Sequence, residues 1–130
     1  KLNWIYVHET YDVKNEQVIH RHAPPLFGSS AIQWQEGHFV IELNTQFNGQ
    51  INSANLAPSE KAKTAIYAVD NTGNPYAPSW YTINIKASYT IGKMQVHIGW
   101  ENITNQRYRP YSSGIVAAGS NIITSLRYSF

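Results

Sequence analysis

The sequence predicts an all-β chain, an antiparallel up-and-down segment of a transmembrane β-barrel. Three observations predict it. Apolar and polar residues alternate with a period of two over several stretches of about ten residues. Tight turns and long loops take turns along the chain, as in barrels that cross an outer membrane. The face opposite the apolar one is mainly Asn, Gln, Ser and Thr, and aromatic rings gather at the ends of the stretches.

Two weaker strands are expected first, near residues 2–8 and 26–35, joined by a long loop over roughly residues 8–25. A tight turn near Gln35–Gly37 leads into a clear strand. There Phe39, Ile41, Leu43, Thr45 and Phe47 oppose His38, Val40, Glu42, Asn44 and Gln46. A long loop rich in Asn, Ser, Pro and Gly follows, over roughly residues 48–78. The next strand sets Tyr81, Ile83, Ile85, Ala87, Tyr89 and Ile91 against Thr82, Asn84, Lys86, Ser88 and Thr90. After a turn at Gly92-Lys93, Met94, Val96, Ile98 and Trp100 oppose Gln95, His97, Gly99 and Glu101. A last long loop, roughly residues 102–119, precedes a terminal strand carrying Ile122, Thr124, Leu126, Tyr128 and Phe130 on one face.

The charged residues of the four clear strands, Glu42, Lys86, Glu101 and Arg127, all fall opposite the apolar face, together with His97. A Lys or Arg on a lipid face at mid-membrane costs about 2–4 kcal/mol, so this placement is a requirement of the barrel. A soluble β-sandwich would exclude charge from its core as well. Its solvent face, however, would carry more Lys and Glu, which also guard sheet edges. Rings at Trp34, Phe39, Trp80, Tyr81, Trp100, Tyr128 and Phe130 suit interfacial girdles.

Composition agrees. The 130 residues make one domain's length, only 14% are charged, and 13% are aromatic. The net charge of +2 is too small to argue for nucleic acid. With no cysteine there is neither a disulfide framework nor a thiolate metal site. Mean hydropathy is −0.39, unfit for a helical membrane protein yet ordinary for strands that alternate lipid and lumen residues. A start at Lys1, without initiator Met or signal peptide, reads as a mature segment or excised fragment.

Several stretches are similar to the C-terminal end of TonB-dependent outer-membrane receptors. Pro78-Ser79-Trp80-Tyr81-Thr82-Ile83-Asn84-Ile85-Lys86-Ala87-Ser88-Tyr89 resembles the third-last strand of those barrels. Glu101-Asn102-Ile103-Thr104-Asn105-Gln106-Arg107-Tyr108 resembles the E-N-L-x-D-x-x-Y stretch after the penultimate strand. Arg109-Pro110-Tyr111-Ser112-Ser113-Gly114-Ile115 and Ser125-Leu126-Arg127-Tyr128-Ser129-Phe130 fit the final loop and closing strand, and His22-Ala23-Pro24-Pro25-Leu26-Phe27-Gly28 the Pro-containing approach to an earlier one. Gly119-Ser120 departs from the family's common Gly-Arg.

The resemblance implies about the last six strands of a barrel of about twenty-two around a plug. The C-terminus would then be periplasmic, the long loops outside the cell, and the plug and TonB-contacting segment upstream of residue 1. Implied partners are outer-membrane lipid, TonB, the plug, the barrel-assembly machinery and a small nutrient ligand such as an iron chelate, cobalamin or glycan. Leu126, Tyr128 and Phe130 would be the assembly signal. A passive outer-membrane channel and a soluble β-sandwich module that binds carbohydrate through Trp and Tyr are the rival functions.

No catalytic motif is present, so neither an enzyme nor a cofactor is expected. His20 and His22 form an H-x-H pair in a loop, better read as solvated than as metal ligands. Asp12, Glu60 and Asp70 read as solvated or turn-forming loop carboxylates. The candidate ligand-binding residues are Tyr67 and Tyr76 in the central loop, and Arg107, Tyr108, Arg109 and Tyr111 in the last, because aromatics and Arg combine large contact area with directional donors. Lys86, His97, Glu42 and Arg127 could face a plug.

Overall fold

The structure, a computed structural model, describes residues 1–6, 10–13, 16–19 and 22–130. Its centre is one six-stranded antiparallel sheet built from β1 (Leu2–Ile5), β4 (Phe27–Glu36), β5 (Phe39–Asn48), β8 (Trp80–Ile91), β9 (Met94–Glu101) and β10 (Asn121–Tyr128). Each of these strands pairs with the next in the chain, an up-and-down meander. Two small ribbons lie in the connections: β2 (Thr10–Val13) with β3 (Glu16–Ile19), and β6 (Ala68–Val69) with β7 (Pro75–Tyr76). A 3-10 turn (Ser53–Asn55) and one short helix, α1 (Pro58–Lys61), complete the described elements.

The fold is therefore all-β, and the sheet is open. Six strands are present in the order expected. The terminal strand stops at Tyr128, so Phe130 lies just past the ladder, although the Ser129 N–H still donates to the Lys93 carbonyl at 3.0 Å. The expected first strand reached to His8; residues 7–9 lie outside those described.

Register follows from the alternation, since a slip of one residue would turn every side chain to the other face. Ile32 pairs with Leu43, Leu43 with Ile85, Ile85 with Trp100 and Trp100 with Ile122, a single apolar row across five strands. On the other face Gln33 pairs with Glu42, Glu42 with Lys86, and Lys86 with Gly99. Lys86, His97, Glu42 and Arg127 all share that polar face. The first two sheet strands follow suit, with Leu2 paired to Ser30 and Thr45 continuing that row to Ile83.

Two-residue turns at Gly37-His38 and Gly92-Lys93 close one end of the sheet. Both glycines sit at φ +56°, the positive φ that such a hairpin asks of its first central residue. The three long connections all emerge at the opposite end. They are not featureless loops, because the central one holds the 3-10 turn, α1 and the β6–β7 ribbon.

Burial in the sheet is inverted. Among the residues whose burial is described, the buried ones of its strands are Thr82, Asn84 and Gly99. Meanwhile Ile32 is 75% exposed, Ile122 68% and Leu126 67%. No described element packs over the apolar face.

Candidate functional site

The buried apolar core of this chain sits in its long connections. Ile51, Leu56, Ala57, Tyr67 and Ala77 are buried, with Ile66 and Tyr111 packed against them. The central connection closes on itself where Ile51 and Ala77 exchange two backbone hydrogen bonds of 3.0 Å. Pro58 starts α1, where a missing N–H costs nothing, and the single turn that follows turns Glu60 inward.

Glu60 is completely buried. Its carboxylate accepts from Lys63 Nζ at 2.7 Å, from the Tyr67 hydroxyl at 2.7 Å and from Ser112 Oγ at 3.2 Å. Burial pushes its pKa up, but the bonds from Lys63, Tyr67 and Ser112 and the charge of Lys63 outweigh that and hold it at about 2. Burial first, and the Glu60 bond second, push the Tyr67 hydroxyl well above its ordinary value. Ser112 Oγ also lies 2.8 Å from His22 Nδ1. Three long connections thus meet through one serine and one carboxylate: the first brings His22 to Ser112, the last brings Ser112 to Glu60, and the central supplies Glu60 and Tyr67. Both His22 and Ser112 hold positive φ, +62° and +59°. The Ser112 hydroxyl lies against both the Glu60 carboxylate and the His22 ring, a clasp between the connections.

The last connection is pinned at its base. Asn102, at φ +50°, donates from Nδ2 to the Gln106 carbonyl at 2.9 Å and the Ala118 carbonyl at 3.0 Å, and accepts the Gln106 N–H at 2.9 Å. Its own N–H donates to Asn84 Oδ1 at 2.8 Å, and Asn84 Nδ2 donates to Asn44 Oδ1 at 2.8 Å. Asn105 accepts the Ser120 N–H at 3.0 Å and closes the far side. The side chain of Asn102 in Asn102-Ile103-Thr104 is therefore engaged on every polar atom.

Between the central and last connections lies a cleft of about 340 Å³. Trp80 lines it, with the Tyr108 ring stacked on the indole at 4.0 Å between centroids and 27° between planes. The walls come from Tyr67, Ala68, Arg107, Arg109 and Tyr111 among others. Arg109 reaches across to donate to the Ala65 carbonyl at 2.8 Å. Tyr67 and Tyr111 are 6.3 Å apart between centroids.

Five of the six loop candidates, Tyr67, Arg107, Tyr108, Arg109 and Tyr111, thus converge on one cleft. Tyr76 pairs with Ala68 in the β6–β7 ribbon and does not line it. Tyr67 is mostly core, offering a small part of its ring. Trp80, expected as an interfacial ring, lies on the polar face opposite Asn48 and serves the cleft instead. The solvated reading of Glu60 is wrong, since its helical turn faces the core. Asp70 does form a turn, its Oδ1 accepting from Thr72 N at 2.8 Å, Thr72 Oγ1 at 2.7 Å and Asn74 N at 2.9 Å. Asp12 lies in β2, and His20 lies outside the described residues. Among the described residues no group of His, Asp and Glu is placed to hold a metal ion.

At the other end, Leu126 and Tyr128 are exposed on the apolar face. Phe130 is fully exposed and meets the Tyr128 ring edge-on at 5.4 Å. Sequence reasoning missed the Glu60 clasp and the Asn44–Asn84–Asn102 ladder. The only hint of the first was Lys63 placed three residues after Glu60. Comparison with protein-family models, with curated proteins and with solved structures found no match.

Proposed function

We propose that this chain forms the last six strands of an outer-membrane barrel of the TonB-dependent receptor type, importing a scarce nutrient bound at its long loops. The observation that carries the reading is the inverted sheet. Ile32, Ile98, Ile122 and Leu126 on its apolar face lie bare, while its buried side chains, Thr82 and Asn84, are polar and its loops hold the core. A sheet in water would leave those rows unpaid, whereas lipid makes their exposure favourable and charge on them costly. Tight turns at one end and long connections at the other give the matching topology. The receptor reading, as against a passive channel, is supported by the sequence resemblance of residues 78–89 and 101–130. The loop cleft is the candidate ligand seat, and the polar face would line the lumen.

In this reading Leu126, Tyr128 and Phe130 present an apolar terminal strand to the assembly machinery. Deleting Phe130 from the full-length protein lowers its level in the outer membrane; unchanged levels would remove that role. Fractionation of the full-length protein tests the whole reading. Recovery in the membrane, released only by detergent, supports the barrel. Recovery in the soluble fraction sinks it. Uptake that persists in cells lacking TonB would favour the passive channel.

A further inference from the structure

We infer that the loop cleft selects a small ring compound bearing an anionic group; the inference rests on the receptor reading for its biological setting. The charge lining the cleft is of one sign. Arg107 and Arg109 are there, and among the described residues no Asp, Glu, Lys or His lines it. The nearby carboxylate, Glu60, sits behind Tyr67 and is engaged by Lys63, Tyr67 and Ser112. Guanidinium groups without a lining carboxylate attract carboxylate or phosphate oxygens, which they meet with paired donors.

The body of the ligand is set by rings. Trp80 and Tyr108 form a stacked platform, and Tyr111 lines the same space. Flat faces of this kind take an aromatic ring or the apolar face of a sugar. A volume of about 340 Å³ lies at the small end of the range for ligand pockets, room for one or two rings.

The test uses the full-length receptor in detergent and ligand-observed NMR with two matched pairs of probes. Benzoate is set against benzyl alcohol, and glucuronate against glucose. The acid of at least one pair should bind about fivefold or more tightly than its neutral partner, and the better pair tells an aryl from a sugar ligand. Arg107→Gln, at an exposed position, and the Arg107→Gln/Arg109→Gln double variant should remove that preference stepwise. Trp80→Leu removes the ring of the platform, so it should weaken both members of a pair. Equal binding of acid and neutral probes, no binding of any, or a preference that survives the double variant overturns the inference. Membrane insertion and TonB-dependent uptake, measured on the same preparations, judge the receptor reading separately.

Discussion

The sheet and the loop cap of this chain obey opposite rules of burial. In the sheet, Thr82 and Asn84 are buried while Ile32, Ile98 and Ile122 are bare; in the cap, Leu56, Ala57 and Tyr67 are buried and Asp70 and Asn71 face out. One chain therefore carries two solvation patterns, divided near Asn48, Trp80 and Asn102. The cap follows the usual logic of a protein in water, including the expensive step of burying a carboxylate only where donors surround it. The sheet follows the logic of a wall whose outer side meets something apolar. The sharpest tests exchange the rules.

The largest effect is expected at Ile85, the middle of β8, flanked on the apolar face by Leu43 and Trp100. On the proposed barrel reading, Ile85→Lys places a charge against lipid, at a cost of about 2–4 kcal/mol. The full-length protein should lose most of its folded outer-membrane population, read as loss of the heat-modifiable band on a gel. In water an exposed Lys at this position would cost little, so an unchanged band would argue that this face never meets lipid.

Next comes the clasp. Glu60→Ala removes the acceptor shared by Lys63, Tyr67 and Ser112 and leaves the Tyr67 hydroxyl buried without it, a local loss of about 2–3 kcal/mol. Protease should then cut the central and last connections while the sheet stays intact. The same clasp has a pH signature. Its pKa falls from an ordinary 4.5 to about 2 on folding, so the open cap binds the proton more readily. The stability it supplies is complete above about pH 4.5 and is lost as pH falls toward 2. Protease resistance of the cap should hold from neutrality to about pH 5, decline below, and show no such decline in Glu60→Gln.

The sheet was legible in the sequence because alternation is a local signal with a short period. Ile83, Ile85 and Ala87 against Asn84 and Lys86 fix both facing and register with no knowledge of the rest of the chain. Tight turns were legible for the same reason, since Gly37 and Gly92 supply the φ a two-residue turn needs. The cap was not. Ser112 meets Glu60 across 52 residues of sequence and His22 across 90, and no spacing records that. Trp80 misled because a ring at a strand end suits an interface as well as it suits a stack on Tyr108. What decides between them is which side of β8 it takes, and the alternation that places Tyr81 outward already puts Trp80 on the other side.

Asn102 joins the two regions, and its loss should cost less than the clasp. At φ +50° Asn is one of the better-tolerated side chains, and its amide bonds to Gln106 and Ala118 hold it there. Asn102→Gly keeps the backbone at ease and loses the side-chain bonds; Asn102→Ala loses the bonds and keeps the strain. The Ala variant should be the weaker of the two, by about 0.5–1 kcal/mol, in hydrogen exchange of the last connection. Equal effects would mean that the left-handed backbone carries no penalty there.

The smallest effect is expected one residue from the largest. Lys86 follows Ile85 but lies on the polar face, 3.7 Å from Glu101, with its side chain half exposed. An ion pair so open to solvent contributes about 0–1 kcal/mol, and Glu101 without its partner remains hydrated. Lys86→Gln should therefore leave the heat-modifiable band within error of the parent protein, even as Ile85→Lys abolishes it. The contrast depends on sidedness alone, because both changes fall at the same depth in the same strand. If Lys86→Gln proved as damaging as Ile85→Lys, the polar face would have to bear a tightly packed and desolvated partner, and the division between a lipid side and a watery side would have to be redrawn.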